Sequence, residues 1–153
     1  MAENITENFK LVSGSCLYMS AVLSAMIQDH LSVDAKFVTG SLSVAGFTVF
    51  SHQPIKPLLT NKCVFSQWDG HSWIEIDDIV FDLSLFRTVF SSATPPYIQS
   101  LFDTRVDRRA AYLIGQKSKL SEIGIQYMAL ELLSEDDATI FIKNADRMKL
   151  INI

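Results

Sequence analysis

The run from Gly70 to Ser84, Gly-His-Ser-Trp-Ile-Glu-Ile-Asp-Asp-Ile-Val-Phe-Asp-Leu-Ser, restricts the fold more than any other stretch. On either side of Asp77-Asp78 the side chains suit a two-residue repeat, which belongs to a strand and not to a helix. The pattern predicts a β-hairpin, Ser72–Ile76 against Ile79–Leu83, with the two aspartates as its loop. Pairing then sets Ile76 opposite Ile79, Ile74 opposite Phe81, Trp73 opposite Asp82 and His71 opposite Ser84. His71, Trp73 and Glu75 therefore share a face with Val80, Asp82 and Ser84. Asp82 stands diagonal to His71 at about 7–8 Å between backbones, within side-chain reach. An odd loop would turn Asp82 away.

A histidine oriented by a carboxylate is two-thirds of a nucleophilic triad, so the search turns to Cys16 and Cys63. After Ser13-Gly14-Ser15-Cys16, apolar residues at 19, 22, 23, 26 and 27 mark one face of an amphipathic helix. Ser20, Ser24 and Gln28 fall on its other side, and it fades near His30-Leu31-Ser32. With Ser13 or Ser15 as N-cap, Cys16 lies in the first turn. There the helix dipole and unpaired amides favour thiolate and can hold an oxyanion. The same position also suits a thiol that merely ends a buried stripe. Cys63 falls on the apolar face of its predicted strand, opposite to His71. Glu75 lies about 13 Å along the strand from His71, beyond bonding reach, and Asp69 sits in a turn. That leaves Asp82 as orienting acid, with a salt bridge as its alternative and a turn histidine as that of His71. His30 and His52 read as surface residues. No compact ligand spacing predicts zinc, so no metal or cofactor is expected.

At 153 residues the chain is read as one domain, 1–153, long enough to bury a substantial core. A net charge of −4 without a basic run argues against nucleic acid or an anionic membrane as partner. No apolar run approaches a membrane span, and the acidic N-terminus is unlike a signal peptide. Two distant cysteines then read as thiols in a cytoplasmic protein. Along the chain, residues 1–12 form a polar lead-in that can carry a short helix. Ala35–Val44 is a strand, with Gly40 marking a bulge or a close backbone approach. Ala45-Gly46 turns into a strand over Phe47–Phe50, and Ser51–Lys62 is a loop with two prolines. Cys63–Trp68 reads as a strand joined through Asp69-Gly70 to the hairpin, making a three-stranded meander. Its dry face carries Cys63, Phe65, Ile74, Ile76, Ile79, Phe81 and Leu83; its mixed face is expected to build a cleft. The chain turns irregular after Leu85, and Pro96 opens a short helix. Ala110–Gln116 and Ile123–Leu132 read as a hairpin around Lys117-Ser118-Lys119, or else as two helices. Ser134, followed by three acids, caps a closing helix whose apolar side includes Ala138, Ile140, Phe141, Ala145 and Met148.

A Cys that opens a helix, then strands, then Gly70-His71-Ser72-Trp73-Ile74-Glu75, a short turn and Asp82 resemble the transglutaminase-like superfamily, which shares the papain-like Cys–His–Asp core. The match runs from Gly14-Ser15-Cys16 through Phe81-Asp82-Leu83-Ser84, about half the chain. The resemblance implies an α+β fold with the nucleophile helix packed on an antiparallel β-sheet. It also implies Cys16 as nucleophile, His71 as base and Asp82 as orienting acid. The implied activity passes an acyl group through a cysteine thioester, as a hydrolase or a transferase acting on a protein, peptide or small amide. Two departures stand out: no acyl-CoA or calcium motif is visible, and no side chain is an obvious oxyanion donor. Asn8, Gln67 or Trp68 are the options, besides the Cys16 amide. The rival expectation is a catalytically inactive member of the fold that binds or regulates.

Overall fold

The computed structural model describes residues 1–12, 14–59 and 68–152. Its first half runs α1 (Ala2–Asn8), α2 (Ser15–His30), β1 (Ala35–Val44), β2 (Phe47–Phe50), α3 (Lys56–Leu59), β3 (His71–Ile76) and β4 (Ile79–Asp82). Then come α4 (Leu85–Val89), α5 (Pro96–Asp103), β5 (Leu113–Gln116), α6 (Lys117–Glu122), β6 (Ile125–Leu133) and α7 (Glu135–Arg147). The chain is α+β, built on one curled antiparallel sheet.

The hairpin forms in the expected register, Ile76 against Ile79 and Ile74 against Phe81. Asp77 takes the positive φ of 52° that its two-residue loop needs, a conformation that Asp tolerates better than most residues. β3's other neighbour is β1, which pairs with it from Ala35 to Gly40. Further along the same edge, β1 pairs with β2 through a turn at Ala45 (φ 49°) and Gly46 (φ 80°). The opposite edge of β1 carries β6, and the register slips between Thr39 and Gly40. Gly40 thus marks both a bulge and a close approach. A Cβ there would stand 1.9 Å from the Met128 carbonyl oxygen and 2.8 Å from the Trp73 ring.

Each face of the sheet has its own core. On one side α2 and α7 cover Phe37, Ile74, Leu83 and Leu133, and Phe141 meets Tyr18 and Phe37 edge-on, both at 6.0 Å between ring centroids. α2 packs against both the sheet and α7 and is buried nearly all round. Ser20 and Ser24, expected on its exposed side, are inside. α7 starts with the expected cap: Ser134 Oγ accepts the Asp137 amide at 3.1 Å, and Asp137 returns the bond to the Ser134 amide at 2.8 Å. Ala138, Phe141 and Ala145 face inward, whereas Met148 is exposed.

The other side corrects an expectation in part. Most of the hairpin's mixed face does not open into a cleft, since Trp73 and Val80 are fully buried there with Val38, Leu42, Leu113 and Ile125; only its His71 end lines one. The reason lies downstream. Leu85 opens α4 instead of irregular chain, and α4, α5 and α6 close over the curl with Leu85, Val89, Phe102 and Leu120. Burying one such side chain contributes roughly 1.5–3 kcal/mol.

Other expectations fail locally. β3 has no upstream meander partner: Trp68, Asp69 and Gly70 are not in a strand, and positions 63–67 of that expected strand lie outside the described residues. Asp69-Gly70 makes no hairpin turn because Asp69 is tied elsewhere. Its carbonyl accepts the Gln53 amide at 2.7 Å, its carboxylate accepts Ser51 Oγ, and the Trp68 indole donates to the Gln53 carbonyl at 2.6 Å. β5 and β6 are strands, as expected, yet they do not pair with each other. α6 separates them, β5 joins β4 and β6 joins β1. A helical turn, α3, also interrupts the expected loop.

Candidate active site

His71 opens β3 opposite Gly40, and Asp82 closes β4. Both side chains are fully buried, and His71 Nε2 donates to Asp82 Oδ2 across 2.5 Å. Phe50 stacks on the imidazole at 4.5 Å and 11° between planes, so the ring is held in orientation as well as in place. Asp82 is saturated with donors. Tyr127 Oη donates to Oδ2 at 2.8 Å, while Oδ1 accepts the Ser84 amide at 3.1 Å, the Leu85 amide at 3.0 Å and Ser84 Oγ at 3.3 Å. A buried charge without such partners would be expensive. The chain supplies the two amides because it bends into α4 directly after Asp82.

Cys16 lies in the first turn of α2 with 8% of its surface exposed. The N-cap is Gly14 in the left-handed conformation (φ 78°), not a serine. Ser15, one expected cap, is already helical and folds its hydroxyl back onto the Val12 amide and carbonyl at 2.7 and 2.6 Å. Ser13, the other, lies outside the described residues. A left-handed glycine lets the chain enter the helix sharply, and it sets Cys16 and His71 on one cleft of about 460 Å³.

Electrostatics ties the three side chains together. Burial by itself opposes protonation of His71, but the charge and hydrogen bond of Asp82, followed by the neighbouring Cys16, outweigh it and raise the pKa to about 10. Since Nε2 belongs to Asp82, Nδ1 is the nitrogen left for Cys16. It is buried and makes no closed hydrogen bond among the described residues. Burial, and then the Cys16 charge, also push the Tyr18 phenol upward.

The cleft walls include Leu11, Val12, Phe50 and Trp68, with Asp69 and Arg87 as the charged side chains among the described residues. Arg87 is committed to the Phe9 carbonyl at 3.0 Å and to the Thr6 carbonyl, clamping α1 onto α4. The oxyanion options thin out. Asn8 bonds within α1 at 2.9 Å to the Asn4 carbonyl, Trp68 is spent on Gln53, and Gln67 lies outside the described residues. Of the first amides of α2, that of Ser15 donates to the Val12 carbonyl at 3.1 Å and that of Leu17 to the Gly14 carbonyl at 3.0 Å, so the Cys16 amide is the option left.

The structure therefore brings Cys16, His71 and Asp82 together; Cys63 lies outside the described residues. Glu75 stays away from the histidine, bonded to Trp73 Nε1 at 2.9 Å and to Lys117 Nζ at 2.6 Å. His30 is exposed. His52 is not a surface residue, since its side chain is only 10% exposed and meets Glu131 at 3.3 Å. Sequence reasoning missed Tyr127. It lies 45 residues beyond Asp82, and only the parity of β6, which buries Ile125 and Tyr127 together, hinted at its direction. Among the described residues no group of three or more His, Cys, Asp or Glu side chains could hold a metal ion, and no helix is long and apolar enough to cross a membrane. Comparison with protein-family models, with curated proteins and with solved structures finds no match for this chain.

Proposed function

We propose that this chain is a cysteine-nucleophile acyl-transfer enzyme with a transglutaminase-like, papain-like core. Cys16 is the nucleophile, His71 the base and acid, and Asp82 the residue that orients His71. The observation that carries the reading is the divided imidazole: Nε2 is locked to Asp82 at 2.5 Å, and Nδ1 is left without a closed bond beside a helix-opening thiol. A histidine placed only to balance a buried charge would not need its second nitrogen left without a partner at the wall of a cleft shared with a thiol.

Cys16 gives its proton to Nδ1, and the thiolate attacks the carbonyl carbon of a peptide, amide or ester. The carbonyl electron pair moves to oxygen, stabilised by the Cys16 amide in the first turn of α2. When the carbonyl reforms, the bond to the leaving group breaks and His71 returns the proton to the departing amine or alcohol. A thioester remains on Cys16. His71 then deprotonates water or an amine, which attacks the thioester, and the sulfur leaves as thiolate. Water makes the reaction a hydrolysis; an amine makes it a transfer. The substrate is a protein, a peptide or a small amide.

Iodoacetamide distinguishes a catalytic thiol from an inert one. Cys16 is expected to alkylate at least ~10-fold faster than Cys63, and His71→Ala to slow it by about 10²-fold, as loss of a positioned base does. Equal, slow labelling of both thiols rejects the assignment. Two observations favour a second reading, a binding or regulatory protein without turnover: His71 is wholly buried, and no Asn or Gln lines the cleft among the described residues. An electrophile panel separates the two. An adduct lost in Cys16→Ser supports the enzyme; no adduct across the panel supports the binder.

A further inference from the structure

Asp82 Oδ2 receives two donors, His71 Nε2 at 2.5 Å and Tyr127 Oη at 2.8 Å. Tyr127 comes from β6, a strand that pairs with β1 and not with the hairpin, so only the curl of the sheet brings its hydroxyl to the carboxylate. The ring packs edge-on against Trp73 at 4.9 Å, which aims it. Burial first, then the charge and hydrogen bond of Asp82, hold the phenol well above its ordinary pKa, so it stays protonated and can only donate to the carboxylate.

We propose that Tyr127 is a positioning residue of this site, whose hydroxyl holds the Asp82 oxygen that His71 uses and so sets how readily His71 releases its proton. The inference rests on the acyl-transfer reading above. Two donors on one oxygen compete for its electron density. While His71 is an imidazolium, the His71–Asp82 pair is neutral overall. Once His71 loses its proton, Asp82 is left as a buried anion, and a second donor stabilises that state more than the neutral pair. The Tyr127 hydroxyl thus favours proton release, which is what leaving-group protonation requires of His71. The titratable groups facing this pair are Cys16 from α2 and Tyr127 from β6. Tyr18 faces Cys16, and Asp69 and Arg87 line the same cleft.

The test compares the full chain with Tyr127→Phe, which keeps the ring and its Trp73 contact. Three readouts are used: the pH profile of Cys16 alkylation by iodoacetamide, nitrophenol release from 4-nitrophenyl acetate, and an NMR titration of the His71 ring. Loss of the hydroxyl is expected to move the alkaline limb upward, with His71 holding its proton about 3- to 10-fold more tightly, and to slow nitrophenol release about 10-fold with KM within about twofold. A folded variant with an unmoved limb overturns the proposal, as does a loss of rate that is uniform at every pH. If Tyr127→Phe does not fold, 3-fluorotyrosine installed at position 127 keeps the shape and donates more strongly; the limb must then move downward, and an unmoved limb overturns the proposal. An unreactive Cys16 in the unaltered chain would reject the acyl-transfer reading instead. The His71 titration would still decide the role of Tyr127, because it needs no turnover.

Discussion

Two histidine–carboxylate pairs flank β1. His71–Asp82 spans 2.5 Å with both side chains fully buried, whereas His52–Glu131 spans 3.3 Å with 10% and 15% exposed. Gly40 pairs with His71, and its neighbour Thr39 sends its hydroxyl to Glu131 at 3.2 Å and meets His52 at 3.3 Å. Adjacent strand residues point to opposite faces, so one strand serves both pairs. Their surroundings differ in what is left over. Glu131 also accepts the Ile55 amide at 2.7 Å and the Lys56 amide at 3.3 Å, which staples the chain around α3 to the sheet. Asp82 is equally saturated, but its histidine has an Nδ1 without a partner among the described residues and shares a cleft with Cys16. The same two functional groups make a brace in one place and a candidate active site in the other. What separates them is the unused Nδ1 and the thiol beside it.

Removing one acid from each pair should separate them most widely. Asp82→Ala leaves His71, Tyr127 and two amides buried without their acceptor, so it should cost about 3–5 kcal/mol in urea unfolding and abolish fast Cys16 alkylation. Stability retained in full would show that the pair is not the buried ionic centre described here.

The pH dependence should belong to the buried pair. Its histidine has a pKa raised from the ordinary 6.5 to about 10. The stabilisation this provides is complete below about 6.5 and is lost as pH rises through about 10, on the order of 5 kcal/mol. Melting temperatures measured from pH 6 to 10.5 should fall, and should fall less steeply in Asp82→Asn. Parallel curves would remove His71 as the source.

Gly40→Ala tests the strand that the two pairs share. The added methyl group would meet the Met128 carbonyl, which cannot swing aside as a side chain could, and a loss of about 2–3 kcal/mol is expected. Hydrogen exchange should loosen around both His71 and Thr39. Loosening on one side only would mean that the two sites are independent.

The smallest effect is reserved for the brace. Glu131→Gln keeps an acceptor for Ile55 and should cost about 1 kcal/mol or less while leaving Cys16 alkylation within about twofold. A large loss of reactivity there would collapse the distinction between the pairs.

Much of this was written in local pattern. The period of two around Asp77-Asp78 determined the hairpin register, and with it the side on which His71 and Asp82 meet, because both follow from backbone geometry alone. The bulge at Gly40, the Ala45-Gly46 turn, the span of α2 and the Ser134 cap were legible for the same reason: each depends on residues within a few positions of one another. Tertiary structure decided the rest. β3 found its second partner in β1, the curl converted a mixed face into a closed core, and β5 and β6 went to different neighbours. None of these is encoded by spacing, since each depends on which distant surface covers an apolar face at the lowest cost in exposed area. The same holds within the site. The chain alone paired His71 with Asp82, but only the fold set Cys16 and His71 on one cleft, placed Phe50 on the imidazole and brought Tyr127 from 45 residues away onto the same carboxylate.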